Sequence, residues 1–564
     1  MAIISTLPYN ISNGTLEDAN QVMGNFNQIV SQVNTNLSAL TGAGQIGATA
    51  SPLLSGITVQ AQLSQVGNFT ATSWPYTPPG TGAVATTVGA RLNQTWIYDA
   101  AWNSDPTGAT DNSTNLNAAL TALAAAGGGT LVLPFGTFLI SATVNRPAGI
   151  YIVGQGPEAT TLLSSTSFNG NIIATVGSSS SVQNRGGIQN LCIIGSWGVN
   201  NANTASVAIS NQWTNRCIIR DVRIHGCYIG IYGIGIWQDT WDNVHVDGGG
   251  TQQNYIGFYL DQLPTTFPVG TSNAVNAIHC TTQGVGYCGF RLLNPNGSKF
   301  TGCEAENGVY GMFIGNTASG CYPIEFFTCT GFLADTNTSY GIVVQQGSNA
   351  VPCTYMQFAN CWTSTHGQTA FYLDGCTYIN ISNHQAGNNT KEAIVLHNSQ
   401  YCVINGAVMQ GDNTGNSAGL GDITISGGGY NKVFGCLSNM VNATSVSILE
   451  SNATDNNTIE SNTIFQGATI IGAHSRVRNN QGYNPVGISG PTNAGASPWT
   501  YTAGSSPETH YLQQSATNTA VVTQSGKTLG TLTAGTTLTV ELDPGGAYQV
   551  TWLTTTPTYI KFIH

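Results

Sequence analysis

The chain has 564 residues, of which only 7% are charged, and a formal net charge of -11. That length permits several domains and a large buried core, while so few cations argue against duplex nucleic acid or an anionic membrane surface as a partner. Gly, Ser, Thr and Asn stand where Lys and Glu usually do, giving a surface of hydroxyls and amides that suits strands, turns and carbohydrate. No stretch approaches ~18 uninterrupted apolar residues, and Met1 to Asn10 lacks the basic and apolar regions of a secretory signal. Synthesis and folding in a reducing cytosol, without membrane insertion, are expected.

Leu16, Ala19, Met23, Phe26, Val30, Val33, Leu37 and Leu40 follow a 3,4,3,4 spacing. This predicts a helix with a coiled-coil seam, Thr15 as its N-cap and Glu17 and Asp18 at its positive end. Few e and g positions are charged, so a single amphipathic helix packed on its own chain is the alternative. Residues 1–45 are read as this helical segment and 46–95 as a neck, because Gly42 to Gly82 runs through Gly, Ser, Thr and Pro.

A short helix is expected next, capped by Asp111, Asn112 or Ser113. Its apolar side is Leu116, Ala119, Leu120 and Leu123, and Gly127-Gly-Gly129 stops it. Two short strands around a Pro/Gly turn follow in Thr130–Ile140, and another at Ile150.

A four-residue phrase then recurs: Phe300-Thr-Gly-Cys303, Phe326-Phe-Thr-Cys329, Phe358-Ala-Asn-Cys361, Ile381-Ser-Asn-His384, Ile404-Asn-Gly-Ala407, Val433-Phe-Gly-Cys436, Ile459-Glu-Ser-Asn462 and Val477-Arg-Asn-Asn480. Its last positions lie 26, 32, 23, 23, 29, 26 and 18 residues apart, the mark of stacked supersecondary units. A second phrase, Gly257-Phe-Tyr-Leu, returns at Gly289, Gly311, Gly341 and Ala370. The fold class is therefore all-β, with a right-handed parallel β-helix over 96–480 in which like positions stack at ~4.8 Å. The 13 cysteines, from Cys192 to Cys436, read as small buried hydrophobes on successive rungs. No Cys-x-x-Cys pair suggests zinc, and neither metal nor cofactor is called for. Residues 481–564 change to alternating strands, expected to form an antiparallel β-sandwich that caps the solenoid.

Gly82-Ala-Val-Ala-Thr-Thr-Val-Gly-Ala-Arg-Leu92, Asp99-Ala-Ala101, Thr107-Gly-Ala-Thr-Asp-Asn112 and Gly127-Gly-Gly-Thr-Leu-Val-Leu-Pro-Phe-Gly-Thr137, taken in order over about 75 residues, resemble the entry module of pectate-lyase-like phage tailspikes. Asp99-Ala-Ala and Asp111-Asn depart from the family's fuller Asp-Phe-Gly-Ala and paired Asp-Asp. The resemblance implies a homotrimer, attached through its N-terminus to a virion tail or baseplate protein. It also implies an activity that cleaves or deacetylates a bacterial surface polysaccharide.

If Cys303, Cys329 and Cys361 point inward, alternation sends Glu304, Glu306, Thr330, Phe332, Trp362 and Ser364 outward on one face. Residues two apart on a strand are ~6.6 Å apart, so Glu304 and Glu306 suit the acid and base of glycoside hydrolysis, beside Trp362 and Phe332 as sugar platforms. The same glutamates could instead only accept hydrogen bonds in an Asn-rich corner. Trp237, Asp239 and Trp241 alternate onto one face if extended, a second sugar-binding candidate. Asp335 is a further catalytic candidate, as are Asp247 and Asp374, with His279 and His366 as assisting acids or bases; each also fits a turn or rung role. With Lys299 and Arg291 nearly the only cations near the face, a weakly charged glycan is expected. Gly415-Asn-Ser-Ala-Gly419 matches a nucleophile elbow in letters but has no helix signal after it. Hydrolase, lyase, deacetylase and pure receptor binding all remain open at this level.

Overall fold

The computed structural model describes residues 19–38, 75–76, 86–87 and 95–563, apart from 249–253, 263–271, 316–321, 347–352, 440–444, 483–487, 505–507, 515–518, 544 and 554–555. The chain divides into two units at Thr95/Trp96. In the first, Ala19–Ser38 is an α-helix on which the seam residues Met23, Phe26 and Val30 are exposed. Thr15, Leu16, Leu40 and most of the expected neck lie outside the described residues. Pro75–Tyr76 pairs antiparallel with Thr86–Thr87.

In the second unit a 3-10 turn at Ala100–Trp102 and the strand Thr107–Asp111 lead into the helix Ser113–Ala125, whose buried side is the expected Leu116, Ala119, Leu120 and Leu123. Asn112 is the N-cap residue without a side-chain capping bond, and Asp111 just before it accepts at Oδ1 from the Ser113 N–H at 3.0 Å and the Ser113 hydroxyl at 2.6 Å. The helix ends where the chain enters the left-handed region at Gly127, φ 102°. A β-carbon at Gly128 would meet the Gly149 carbonyl oxygen at 3.0 Å, so the next rung can close only on glycine there.

Successive coils then stack in parallel. One strand per coil, from Val144–Asn145 to Ala468–Thr469, builds a 13-stranded parallel sheet. Its inward positions align Phe258, Phe290, Met312, Ile342, Phe371 and Ile394 in one buried row. The opposite wall is made by bent strands. Gly187–Ile194, Ile218–His225 and Thr240–Asp247 turn at Asn190, Asp221 and Asn243. Later coils break into short strands at the corners Gly302, Gly331, Asn360, Asn383, Gly406, Gly435 and Ser461, and the last coil turns at Asn479. All of these corner residues have φ between 50° and 65°, the left-handed region that Gly and Asn enter at least cost. The third letter of the repeated phrase is therefore the corner itself. Buried asparagines satisfy corner amides from coil to coil: Asn457 Oδ1 accepts from Asn431 N–H at 2.9 Å, and Asn431 Oδ1 from Cys402 N–H at 3.0 Å.

The register corrects one coil of the phrase. Phe300 pairs with Cys329 and Cys329 with Phe358, while Glu304 pairs with Leu333 and Leu333 with Trp362. The aligned unit is Cys329-Thr-Gly-Phe332, with phenylalanine and cysteine transposed, and the intervals 26 and 32 become 29 and 29. Phe332, expected outward, lies in the cysteine row and is wholly buried, its ring edge-on to Phe290 at 5.5 Å. The described cysteines are all buried and unpaired.

A column of aromatic rings climbs another corner. Phe326, Tyr355, Tyr378, Tyr401 and Tyr430 are exposed, all with φ between 54° and 58°. Consecutive rings stack with centroids 5.1–5.6 Å apart and planes within 13°. Past the solenoid, the strands from Ile488 to Ile563 form two four-stranded antiparallel sheets enclosing a separate core that includes Leu512, Val522, Val540, Tyr548 and Val550. Among the described residues no helix is long and apolar enough to cross a membrane.

Candidate functional site

On the bent-strand wall, the outward positions that follow each corner form two parallel rows, one rung per step of ~4.8 Å. The first runs Arg223, His245, Thr281, Glu304, Leu333, Trp362, Gln385, Val408. The second runs His225, Asp247, Gln283, Glu306, Asp335, Ser364, Gly387, Gln410. Their polar members therefore form one continuous band rather than scattered sites.

At its centre, strand Glu304–Glu306 buries Ala305 and leaves both glutamates half-buried on the outer face. Asp335 is the rung neighbour of Glu306, so three carboxyl groups lie within one step of each other. The Glu306 pKa stands at about 7, raised first by a hydrogen bond shared with Glu304, then by partial burial and the charges of Glu304 and Asp335, against a lowering contact from Gln283. Glu306 thus carries a proton near neutrality while its neighbours crowd it with negative charge. Asp335 Oδ1 accepts a 2.6 Å hydrogen bond from the Ser364 hydroxyl, which fixes its orientation. On the next rung of the other row stands Trp362, 36% exposed. A cavity of about 570 Å³ opens beside it, over Gly387.

Upstream, the band gathers partners around the expected candidate Asp247 that its sequence neighbourhood does not suggest. Asp247 receives His225 Nδ1, His245 Nε2 at 3.2 Å and Arg223 Nη2 at 3.0 Å, and Arg223 also reaches Glu158 at 2.7 Å. Against the opposing effect of burial, these donors hold the Asp247 carboxyl well below the usual carboxylate range. His245 Nδ1 also contacts the Thr281 hydroxyl. Two rungs, through Gln283, separate Asp247 from Glu306.

Other expected residues lie elsewhere. Asp239 is fully buried, accepting from Thr214 Oγ1 at 2.6 Å, Cys217 N–H at 2.8 Å and Asn211 Nδ2 at 3.1 Å; burial raises its pKa to about 6. Trp241 is fully buried against Phe258. The expected alternation fails because Gln238, at φ 54°, turns the chain between Trp237 and Asp239. Trp237 is half-buried and packs on Trp213 at 5.8 Å, apart from the carboxylate face. His366 is buried, its Nδ1 accepting from Asn337 N–H, and burial lowers its pKa to about 4. His279 is an exposed corner residue, and Asp374 pairs with His397 at 2.8 Å. The Gly415–Gly419 segment is a turn with a strand rather than a helix after it. Among the described residues no cluster of His, Cys, Asp and Glu is arranged to hold a metal ion.

Residues 101–196 match the family model described as rhamnogalacturonase A/epimerase, pectate lyase-like. The fold is a pectate-lyase-like parallel β-helix. Tailspike protein 3 of bacteriophage CBA120 superposes with a TM-score of 0.51 at 13% identity, over 79% of this chain and 72% of that one. The A-module of a mannuronan C-5 epimerase from Azotobacter vinelandii gives 0.48 at 16% identity, over 68% and 98%. The N-terminal fragment of gene product 12 of bacteriophage phi29 gives 0.45 at 13%, over 69% and 71%. No curated protein matches the chain. At such identities the likeness is one of fold, and the chemistry has to come from the band of side chains.

Proposed function

We propose that this chain is a phage tailspike that binds and hydrolyses a bacterial surface polysaccharide along the outward band of its β-helix. One observation carries the reading: Glu306 holds a proton near neutrality through Glu304, one rung from the carboxylate of Asp335 and two from the exposed indole of Trp362. Glu306 donates that proton to the glycosidic oxygen as the bond breaks. The Asp335 carboxylate, oriented by Ser364, faces the positive charge that develops on the sugar and accepts the proton of the attacking water. Glu304 keeps Glu306 loaded by accepting its hydrogen bond, and the Trp362 ring receives the apolar face of a sugar. The exposed Met23, Phe26 and Val30 along the N-terminal helix support self-association there, in keeping with a trimer mounted on the virion by this end.

Incubation of the purified protein with a panel of bacterial capsules and O-antigens, followed by mass spectrometry, tests the activity. Oligosaccharides carrying one added water per cut are expected, and Glu306→Gln and Asp335→Asn abolish them. Fragments without the added water would make the enzyme a lyase. A glycan bound but left intact would make this band a receptor site without chemistry.

A further inference from the structure

We propose that the cavity over Gly387 is a subsite for an uncharged, N-acetylated sugar residue. This deepens the reading of the band as a polysaccharide groove and rests on it. Along the second outward row every rung from Asp247 to Gln410 projects a polar side chain except at Gly387, where the missing side chain makes a floor. The resulting space of about 570 Å³ lies two rungs from Asp335, or about 10 Å, within reach of a sugar near the one attacked.

Its lining names the ligand chemistry. Trp362 and Val408, both exposed, supply an apolar wall, while Gln385, Asn388, Gln410 and Asn439 supply primary amides. Among the described residues no charged side chain lines the cavity. An acetamido group fits both halves at once, its methyl against valine and indole and its N–H and C=O paired with the amides. A uronate carboxylate placed there would meet no cation and would lose hydration uncompensated. The ion-paired cluster around Asp247 lies on the other side of the carboxyl trio, so the charged groups gather towards one end of the groove and the uncharged cavity stands at the other.

Gly387→Gln fills the cavity with little disturbance to the strand. Glutamine already occupies the equivalent row position at residues 283 and 410, and a β-carbon at Gly387 would meet only the Gln410 carbonyl oxygen, at 3.2 Å. Saturation-transfer NMR with the methyl glycosides of N-acetylglucosamine, N-acetylgalactosamine, glucose and glucuronic acid provides the test. The acetamido methyl of one or both amino sugars should take up saturation, and this should fall at least about tenfold in Gly387→Gln. The signal should persist in the full-length Glu306→Gln protein, so a missing hydrolytic activity does not mimic a missing subsite. Val408→Asp, an exposed change, provides a second route to the same loss if Gly387→Gln misfolds. Equal saturation of the glucuronide, or an undiminished signal in either folded variant, would overturn the assignment.

Discussion

Removing the Glu304 carboxylate should release the proton that Glu306 holds. In the native chain the Glu306 pKa stands at about 7 against an ordinary 4.5, raised first by the Glu304 hydrogen bond and then by burial and the charges of Glu304 and Asp335. At pH 6 a group with that value is about nine-tenths protonated. Glu304→Gln removes the leading cause and one of the two charges but leaves burial and Asp335. The midpoint should therefore fall between about 4.5 and 6, and the protonated fraction at pH 6 to below about half. Infrared pH titration reads this directly from the band of the protonated carboxyl group, with Glu306→Gln as the subtraction standard. Asp412, raised to about 7 by burial, titrates in every variant and cancels. A native difference band already titrating in the ordinary range, or one still near pH 7 in Glu304→Gln, would refute the proton-sharing arrangement.

Further expectations follow from other parts of the molecule. Trp362→Ala should raise KM about tenfold with kcat nearly unchanged, read by steady-state oligosaccharide release, because the ring binds but takes no part in bond making. Asp239→Ala leaves three buried donors unpaired and should destabilise the solenoid by ~2–3 kcal/mol in denaturant unfolding without altering glycan binding. The folded pKa of Asp239, about 6, lies above its ordinary 3.8, so its contribution is full below about pH 4 and lost as pH rises through about 6. Asp239→Asn should flatten that slope in the same assay. In the transposed coil, Phe332→Cys should cost ~3 kcal/mol by cavity formation and Cys329→Phe ~1–3 kcal/mol by overpacking, while the double variant stays within ~1.5 kcal/mol of native. A double-mutant cycle by denaturant unfolding measures the coupling.

The solenoid was legible because its corners demand Gly or Asn and its walls demand large apolar residues, and both constraints return once per coil. Glu304 and Glu306 were placed outward because their own phrase contained the inward cysteine. Phe332 was misplaced because a core layer responds to the summed volume of its side chains. Exchanging Phe and Cys within one coil preserves that sum and shifts the apparent phrase by three letters. Asp247 was legible as a lone carboxylate, but its partners Arg223, His225 and His245 were not, since they sit on two eight-residue strands and meet it only through register. Trp241 and Asp239 were misread because one left-handed residue, Gln238, cancels the alternation on which their outward placement rested.

The aromatic column has a consequence for how the molecule comes apart. A bulky side chain at φ near 55° costs roughly 1–2 kcal/mol, and a stacked ring pair returns about 0.5–1.5 kcal/mol. Tyr355, Tyr378 and Tyr401 each have rings above and below. Their awkward backbone is offset only in company, so the loss of one coil removes support from the next. Five rungs are thereby joined into one cooperative block within a fold whose stability otherwise adds up neighbour by neighbour. Fraying from either end should halt at this block until it yields as a whole.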